Sequence, residues 1–290
     1  MATVFYDKAA VSVDWNGLGE TLLASDLTIN FSTSATPLYS IGSKGPLGQF
    51  PSAARVGDVS FNFITSITGR NHGQQGNIIN YLASGIKHSV GSMASGVTIS
   101  GAGVKGIGFL NSYSFNVASN SVSSSSASFT FFGSGDQLPV SGRLADSTAF
   151  PARGSMLATG VAHGRYTNLT DLQTQLASSP SDVGTVFGAD YSVSFNHNPV
   201  YKVGQEFPVT SLYTTAQESI NVTEDVFQSG LAFDESVSNK TLTVKGLDGP
   251  GAPTAGAMEV KMISGKQVST SMSAGLDDIV RTQKTLTASY

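Results

Sequence analysis

The sequence predicts a mainly β protein made of two tandem antiparallel domains of the β-sandwich or half-barrel type, each with at most a short helix. Three observations lead to this fold class. Apolar and polar residues alternate over many short segments, which is the period of a strand with one buried face. The 32 glycines and abundant serine and threonine favour strands and turns over long helices. Finally, sequence landmarks recur in the same order in both halves.

The alternating segments occur in both halves of the chain. They are residues 27–31, 59–63 and 113–117 in the first half and 191–195, 220–222 and 242–244 in the second. Residues 127–132 are also strand-like, but they are apolar on both faces at their end. We expect each segment to form a strand whose apolar side chains face a core.

Two short segments have helical spacing instead. In residues 77–85, Ile78, Tyr81 and Leu82 fall on one face, with Asn77 as the N-cap and Gly85 at the end. Residues 168–177 place three leucines on one stripe and stop before Pro180. The sequence therefore predicts about one short helix in each half.

An internal repeat is the most informative feature of the sequence. Residues 37–42 and 199–204 share the pattern Pro, aliphatic, Tyr, any residue, β-branched, Gly, at an offset of 162 residues. Each copy follows an alternating strand and precedes a Phe-Pro pair, and a strand centred on Asn62 or Asn221 comes next. A polar hairpin closes each half, around residues 119–128 and 275–278. This order predicts a duplication.

The repeat defines the expected domain organisation. We expect one β domain over residues 1–140 and a second over residues 141–290, with a linker near 133–147, where glycine and Pro139 interrupt the pattern. Because Tyr39 and Tyr201 hold equivalent positions in the repeat, we expect each to pack against the same local core.

Composition excludes several classes of protein. Only 12% of the residues are charged, about half the usual ~25%, and the net charge is −4 with no cluster of lysine and arginine. Binding to a phosphate backbone is therefore not expected. The absence of cysteine excludes disulfides, thiolate zinc sites and cysteine nucleophiles. No signal peptide and no run of 18 apolar residues is visible, so no membrane association is expected.

No motif in the chain nominates a catalytic, cofactor-binding or metal-ligating residue. Residues 101–106 spell G-x-G-x-x-G, but β-like sequence follows them, so we interpret them as a turn between strands. Residues 264–267 lack the rest of a phosphate loop. The acidic doublets 234–235 and 277–278 lack alternating oxygen ligands, and Trp15 beside Asn16-Gly17 is interpreted as a turn neighbour. Four histidines without metal spacing are expected in loops or facing solvent: His72, His88, His163 and His197.

In the order of its sequence patterns, the chain resembles the tail-tube family of bacteriophages, the major tail proteins. The segments that carry the resemblance are residues 27–63, 77–85 and 108–133, and again 191–222 and 258–290, about half of the chain. The shared order is an alternating strand, a Pro-x-Tyr-x-x-Gly turn, a second alternating strand, a short helix and a closing polar hairpin. The duplication departs from the family's single-domain pattern.

The resemblance implies a non-enzymatic virion protein without a cofactor. In that family, subunits extend their sheets side by side into a ring, and rings stack through a long hairpin and a terminal arm. The hairpins at 119–128 and 275–278 are the corresponding positions here. Implied partners are further copies of the chain, in a ring of three chains with pseudo-six-fold symmetry or of six, together with other tail proteins and DNA that crosses the lumen without specific binding. The implied location is the phage tail of the virion, after synthesis in the host cytoplasm.

Three other readings remain open from the sequence. The chain is alternatively another virion part, such as a neck, baseplate or capsid decoration protein. A second alternative is a monomeric β-sandwich that binds carbohydrate through an exposed tyrosine or tryptophan. The last reading is a hydrolase, but ionisable groups of the kind that gather in active sites are few in this chain.

Overall fold

The computed structural model of the chain describes residues 9–32, 35–42, 44–51, 56–64, 77–101, 104–118, 124–133, 162–168, 186–203, 207–224, 237–247, 253–274 and 280–290. The protein is mainly β and antiparallel, as the sequence predicts. The elements of the first half are β1 (Ala9–Trp15), β2 (Leu18–Ser32), β3 (Ala35–Leu38), β4 (Gly48–Pro51), β5 (Val56–Ile64), α1 (Ile78–His88), β6 (Met93–Ser95), β7 (Val97–Gly101), β8 (Val104–Ala118) and β9 (Ser124–Gly133). Those of the second half are β10 (Ala162–Asn168), β11 (Val186–Val200), β12 (Thr210–Glu224), β13 (Val237–Leu247), β14 (Pro253–Ser273) and β15 (Arg281–Ser289).

Six strands of the first half form a closed set. Their order is β1-β2-β5-β9-β8-β7, and β7 returns to β1. Strands β1 and β2 are joined at Asn16 and Gly17, which have φ of 54° and 80°. Positive φ at both central residues is the conformation that an Asn-Gly hairpin favours. Closure pairs strand edges that would otherwise be exposed.

The strands of the second half follow the same order. Strand β11 pairs with β12, β12 with β15, β15 with β14, β14 with β13 and β13 with β10. The registers also match at the asparagines that the sequence singles out, because Asp26 lies opposite Asn62 and Asp190 lies opposite Asn221. The division into domains 1–140 and 141–290 remains a prediction, since residues 134–161 lie outside the described part.

The two halves join through a direct strand pairing. Residues 112–118 of β8 pair with residues 188–194 of β11, beyond the point at which β7 leaves the same strand. The short strand β6 also pairs with β12. We call the β8–β11 pairing the seam. Because of it, the two strand sets form one sheet of thirteen strands, whereas β3 and β4 form a separate hairpin.

The core lies under one face of this sheet and is rich in aromatic side chains. Alternate residues of each central strand are buried, as the period of two predicts. Phe61 stacks on Phe129 with ring centroids 6.0 Å apart. Across the seam, Phe115 and Tyr191 are 5.3 Å apart. One cluster contains buried apolar side chains of both halves, and Phe109 and Phe132, which pack against each other, are buried outside it.

Helix α1 confirms the helix predicted near residues 77–85, but it continues past Gly85 to His88. The predicted N-cap is confirmed, since the side chain of Asn77 accepts a hydrogen bond from the Asn80 N–H at 2.9 Å. Gly85 does not end the helix. It lies under Trp15, where an added Cβ would be 3.0 Å from the indole ring. The glycine therefore allows close packing of the helix against the end of β1.

Several other expectations need correction. Tyr39 and Tyr201 are exposed by 67% and 52%, so the equivalent turns do not bury their tyrosines in a core. The hairpin expected around residues 119–128 is confirmed, since β8 and β9 pair antiparallel, but its second strand already begins at Ser124 and Ser125 is buried. Asn168 ends a strand, while the rest of the helix expected over 168–177 and the tip at 275–278 lie outside the described residues.

The carboxylate of Glu20 lies at the N-terminus of α1. Its Oε2 accepts a hydrogen bond from the Ile78 N–H at 2.7 Å. Burial raises the pKa of Glu20 to about 7, although the hydrogen bond from Ile78 acts in the opposite direction. The folded protein therefore binds a proton more tightly at this site than the unfolded chain does.

Replacing Glu20 with glutamine should change the pH dependence of stability. In the native chain this group stabilises the fold most below about pH 4.5, and that contribution is lost as the pH rises through about 7. The shift corresponds to roughly 3 kcal/mol. Glu20→Gln keeps an acceptor for the Ile78 N–H, so urea unfolding between pH 4.5 and 8 should show a flatter profile than the native protein. An unchanged profile would contradict this assignment, and Asp58→Asn, at an exposed site, serves as the matched control.

Candidate functional site

The second face of the sheet is polar over eight consecutive strands. They run in the order β2-β5-β9-β8-β11-β12-β15-β14. The side chains on this face are mostly small hydroxyls and amides. They include Thr28 and Asn30, Ser60 and Asn62, Ser126 and Ser128, Ser112 and Ser114, Ser192 and Ser194, Gln217 and Ser219, Thr285 and Thr287, and Ser269 and Ser271. We call this surface the polar face.

The polar face arises from the alternation that the sequence already shows. In these strands the set of residues that enters the core is mostly apolar, and the intervening set is mostly serine, threonine, asparagine or glutamine. The exceptions on the outer side include Phe109 and Phe132, which are buried there. Cross-strand contacts connect the hydroxyls, as in the 2.8 Å hydrogen bond between the Oγ atoms of Ser114 and Ser126. The centre of the face is a shallow groove of about 630 Å³ over β8, β11, β12 and β15.

Few charges interrupt this face. The charged side chains that point away from the core on these strands, among those described, are Asp26, Asp58, Asp190, Lys105, Lys261, Lys266 and Arg281. Two of the carboxylates accept hydrogen bonds from asparagine side chains. Asn62 Nδ2 donates to Asp26 Oδ2 at 2.6 Å, and Asn116 Nδ2 donates to Asp190 Oδ1 across the seam. The face is therefore close to neutral, and its main capacity is hydrogen bonding to water.

A buried ion pair lies behind this face and links the two halves. Lys87 of α1 contacts Glu218 of β12, with 2.6 Å between Nζ and Oε1. The same Nζ donates to the backbone oxygen of Lys261 at 2.5 Å, and the Tyr290 hydroxyl donates to Glu218 Oε2 at 2.8 Å. Lys87 and Glu218 are each only 3% exposed. Both atoms of the carboxylate are thus satisfied, as burial of a charge requires.

The ionisation of this cluster follows from its burial. Desolvation lowers the pKa of Lys87, while the charge and hydrogen bond of Glu218 act against that shift. Burial, with the nearby Glu218 carboxylate, raises the pKa values of the Tyr191 and Tyr290 hydroxyls. Both tyrosines therefore remain neutral donors at physiological pH. The cluster positions α1, β12, β14 and the end of the chain relative to one another, and nothing in it points to bond-making chemistry.

A second polar network crosses the seam and includes a histidine. The Nε2 of His197 is 2.7 Å from Asn111 Oδ1, and its Nδ1 is 3.0 Å from Ser211 Oγ. Asn111 Oδ1 also accepts from the Thr130 hydroxyl at 3.0 Å. The expectation that every histidine faces solvent or lies in a loop is wrong for His197, which is half-buried in β11, and burial lowers its pKa. His88 is exposed, as expected.

The remaining sequence motifs have structural positions. The G-x-G-x-x-G segment lies at the β7–β8 hairpin, where Gly101 pairs with Val104, so the prediction of a turn between strands is confirmed. Residues 264–267 lie within β14. Trp15 is half-buried against Tyr81, with ring centroids 5.5 Å apart, and is not an exposed platform. The acidic doublets 234–235 and 277–278, together with His72, lie outside the described residues.

Searches for other kinds of site give no candidate in the described ranges. No three histidine, aspartate or glutamate side chains there are grouped to hold a metal ion. No helix in the same ranges has the length and apolar character needed to cross a membrane. Comparison with known proteins finds no family model that matches the chain and no curated protein with significant similarity.

Removing the buried cation should destabilise the protein strongly. Lys87→Met leaves the Glu218 carboxylate buried without its counter-charge, which costs about 3–5 kcal/mol. The double variant Lys87→Met with Glu218→Gln should recover a large part of this loss, because no unpaired charge remains. Urea unfolding followed by circular dichroism measures both effects.

Lys261→Met is the matched control for that experiment. The Lys261 side chain is exposed, so its removal should change stability by no more than about 0.5 kcal/mol. Equal losses for Lys87→Met and Lys261→Met would contradict the role given to the buried pair.

Proposed function

We propose that the chain is a non-enzymatic structural subunit of a phage tail, which assembles with copies of itself into a ring or tube whose channel lets DNA pass. The observation that carries this proposal is the polar face, which continues across eight strands and both halves. A face of that extent, lined with hydroxyls and amides, suits the wall of a water-filled passage.

The chemistry of the polar face fits passage better than retention. DNA is held chiefly through lysine and arginine that neutralise phosphates. The described part of the face carries three carboxylates and four cations, which are spread over β8, β14 and β15: Lys105, Lys261, Lys266 and Arg281. Hydroxyls and amides keep such a wall hydrated, and without a cluster of cations the wall has little affinity for a polyanion.

Two further features favour assembly. The charged fraction of 12% is low for a monomer that must stay dispersed. The two Pro-Tyr turns also expose large apolar side chains at their tips, namely Leu38, Tyr39 and Ile41 in the first and Tyr201 and Val203 in the second. Contiguous exposed apolar groups are typical of contact surfaces, and these turns suit contacts with stacked rings or with other tail proteins.

The repeated strand order bears on the number of chains in a ring. Each chain contributes two four-stranded units with matched registers, β2-β5-β9-β8 and β11-β12-β15-β14. If the units are copies, three chains make a ring with pseudo-six-fold symmetry. A ring of six chains is the other arrangement that the proposal allows. The chain would then reside in the virion tail after synthesis in the host cytoplasm.

Electron microscopy of the purified protein tests the proposal directly. We expect negative-stain images to show rings or tubes when the protein is concentrated, and sedimentation to give masses that are multiples of the 30.0 kDa chain. A neck, baseplate or decoration protein would give closed rings or small oligomers that never extend into tubes. Monomers at every concentration would contradict the proposal and favour a binding module.

Adding positive charge to the polar face should create DNA binding that the native protein lacks. We expect the variant Ser192→Lys, Gln217→Lys, Gln283→Lys to bind a short duplex at low salt. Its log affinity should fall with log salt at a slope of roughly −2 to −3, because about three phosphates are neutralised. The native protein should show little binding under the same conditions in a fluorescence anisotropy assay.

A variant of equal net charge serves as the control. Thr36→Lys, Ser92→Lys, Val203→Lys places three lysines at exposed positions away from the polar face. This variant should bind the duplex more weakly, because its charges are dispersed. Tight, salt-dependent binding by the native protein would contradict a channel wall that only lets DNA pass.

A further inference from the structure

The seam shows how one unit of this sheet recognises the next. At the seam, Ser114 of β8 lies opposite Ser192 of β11, and Asn116 lies opposite Asp190. The pairing is antiparallel and uses only the C-terminal part of β8, beyond the residues that pair with β7. The chain therefore already contains one edge-to-edge strand pairing between two such units.

The equivalent positions in the two units can be followed row by row. From Asp26 the row of cross-strand partners runs through Asn62 and Ser126 to Ser114. From Asp190, the corresponding row runs through Asn221 and Thr285 to Ser269. Ser269 of β14 thus holds the position of Ser114, and Thr28, two residues after Asp26, holds the position of Ser192.

The outer edges of the eight-stranded sheet are the counterparts of the seam. Strand β1 covers one edge of β2 only as far as Ala24, and β13 covers one edge of β14 only as far as Gly265. Beyond those points no strand among those described pairs with the outer edge of β2 or of β14. Residues 25–32 and 269–273 contain no proline and no lysine, which are the residues that commonly protect an exposed edge.

We propose that residues 269–271 of β14 in one chain pair antiparallel with residues 26–28 of β2 in a second copy, in the register of the seam. Ser269 then lies opposite the second copy's Thr28, and Ser271 lies opposite its Asp26. The inference rests on the proposed function, since it names the edges through which ring subunits meet. The contact is heterologous, so it repeats from chain to chain until the ring closes.

Side chains near these edges match the proposed contact. Met272 of β14 points to the core side of the sheet but is 49% exposed. On β2, Leu27 and Ile29 face the same side and are only partly buried. At the seam the corresponding side chains are packed, as Phe115 is against Tyr191. Pairing of β14 with β2 would cover these apolar groups in the same way and keep the polar face continuous from chain to chain.

Disulfide crosslinking tests the register. The native chain has no cysteine, so the only thiols in Thr28→Cys, Ser269→Cys are the engineered pair. Opposed residues in an antiparallel ladder have Cα atoms about 4.5–5.5 Å apart, which suits a disulfide. Within one chain these two positions lie at opposite edges of eight strands, roughly 30 Å apart along the sheet, and no described pairing brings them together, so a bond between chains is the expected product.

The expected result is a ladder on a non-reducing gel. Under mild oxidation, most chains of Thr28→Cys, Ser269→Cys should move from 30 kDa to multiples of that mass and return to 30 kDa after reduction. The matched positive control is Ser114→Cys, Ser192→Cys, which should close a bond within the chain and leave the mass unchanged. The register control is Thr28→Cys, Ser273→Cys, displaced by four residues, which should give little crosslinked product.

The outcomes separate this inference from the proposed function. If microscopy shows rings or tubes but Thr28→Cys, Ser269→Cys does not crosslink while the seam control does, the β14–β2 contact is wrong and the channel proposal stands. Equal crosslinking by the displaced pair also overturns the register. If crosslinks form in the expected register but only open fibres appear, the contact is correct and the ring is not. Monomers without crosslinks overturn both.

Discussion

The pairing of β8 with β11 is the contact on which the rest of the architecture depends. It joins two strand sets that would otherwise be separate sheets. As a result, the core on one side of the sheet and the polar face on the other side both continue from the first half into the second. Backbone ladders alone specify register weakly when both partners are rich in serine. Here aromatic packing between Phe115 and Tyr191 on one side and the Asn116–Asp190 hydrogen bond on the other determine how the strands meet.

Buried polar groups reinforce that joint at a thermodynamic cost. The Lys87–Glu218 pair desolvates two charges, and such a pair often adds little net stability compared with apolar side chains of the same volume. Its value here is geometric. The Lys87 ammonium group is paired only when α1 lies close to both Glu218 of β12 and the backbone carbonyl of Lys261. A shift of the second half relative to the first would therefore leave a buried charge unpaired.

The sequence patterns predicted correctly those features of secondary structure that depend on residues close together in the chain. The period of two predicts the strands around Phe61, Phe129 and Val193, and Asn77 caps α1 as expected. The same patterns failed where a contact distant in sequence decides. Gly85 looks like a helix terminator but serves close packing under Trp15. Tyr39 and Tyr201 look like core residues, yet both side chains are exposed, although the Tyr201 ring also contacts Phe132 of β9.

By itself the sequence determined the mainly β class, the position of α1, the small charged fraction and the division of each strand into an apolar and a polar side. These properties follow from side-chain period and composition, which act locally. The tertiary structure alone decided which strands are neighbours, how far the polar face extends and that Lys87 meets Glu218. These features depend on contacts between residues distant in sequence, 74 positions apart for Asn116 and Asp190 at the seam and 131 for Lys87 and Glu218. A serine-rich strand accepts many registers, so only the packing of the whole sheet selects one.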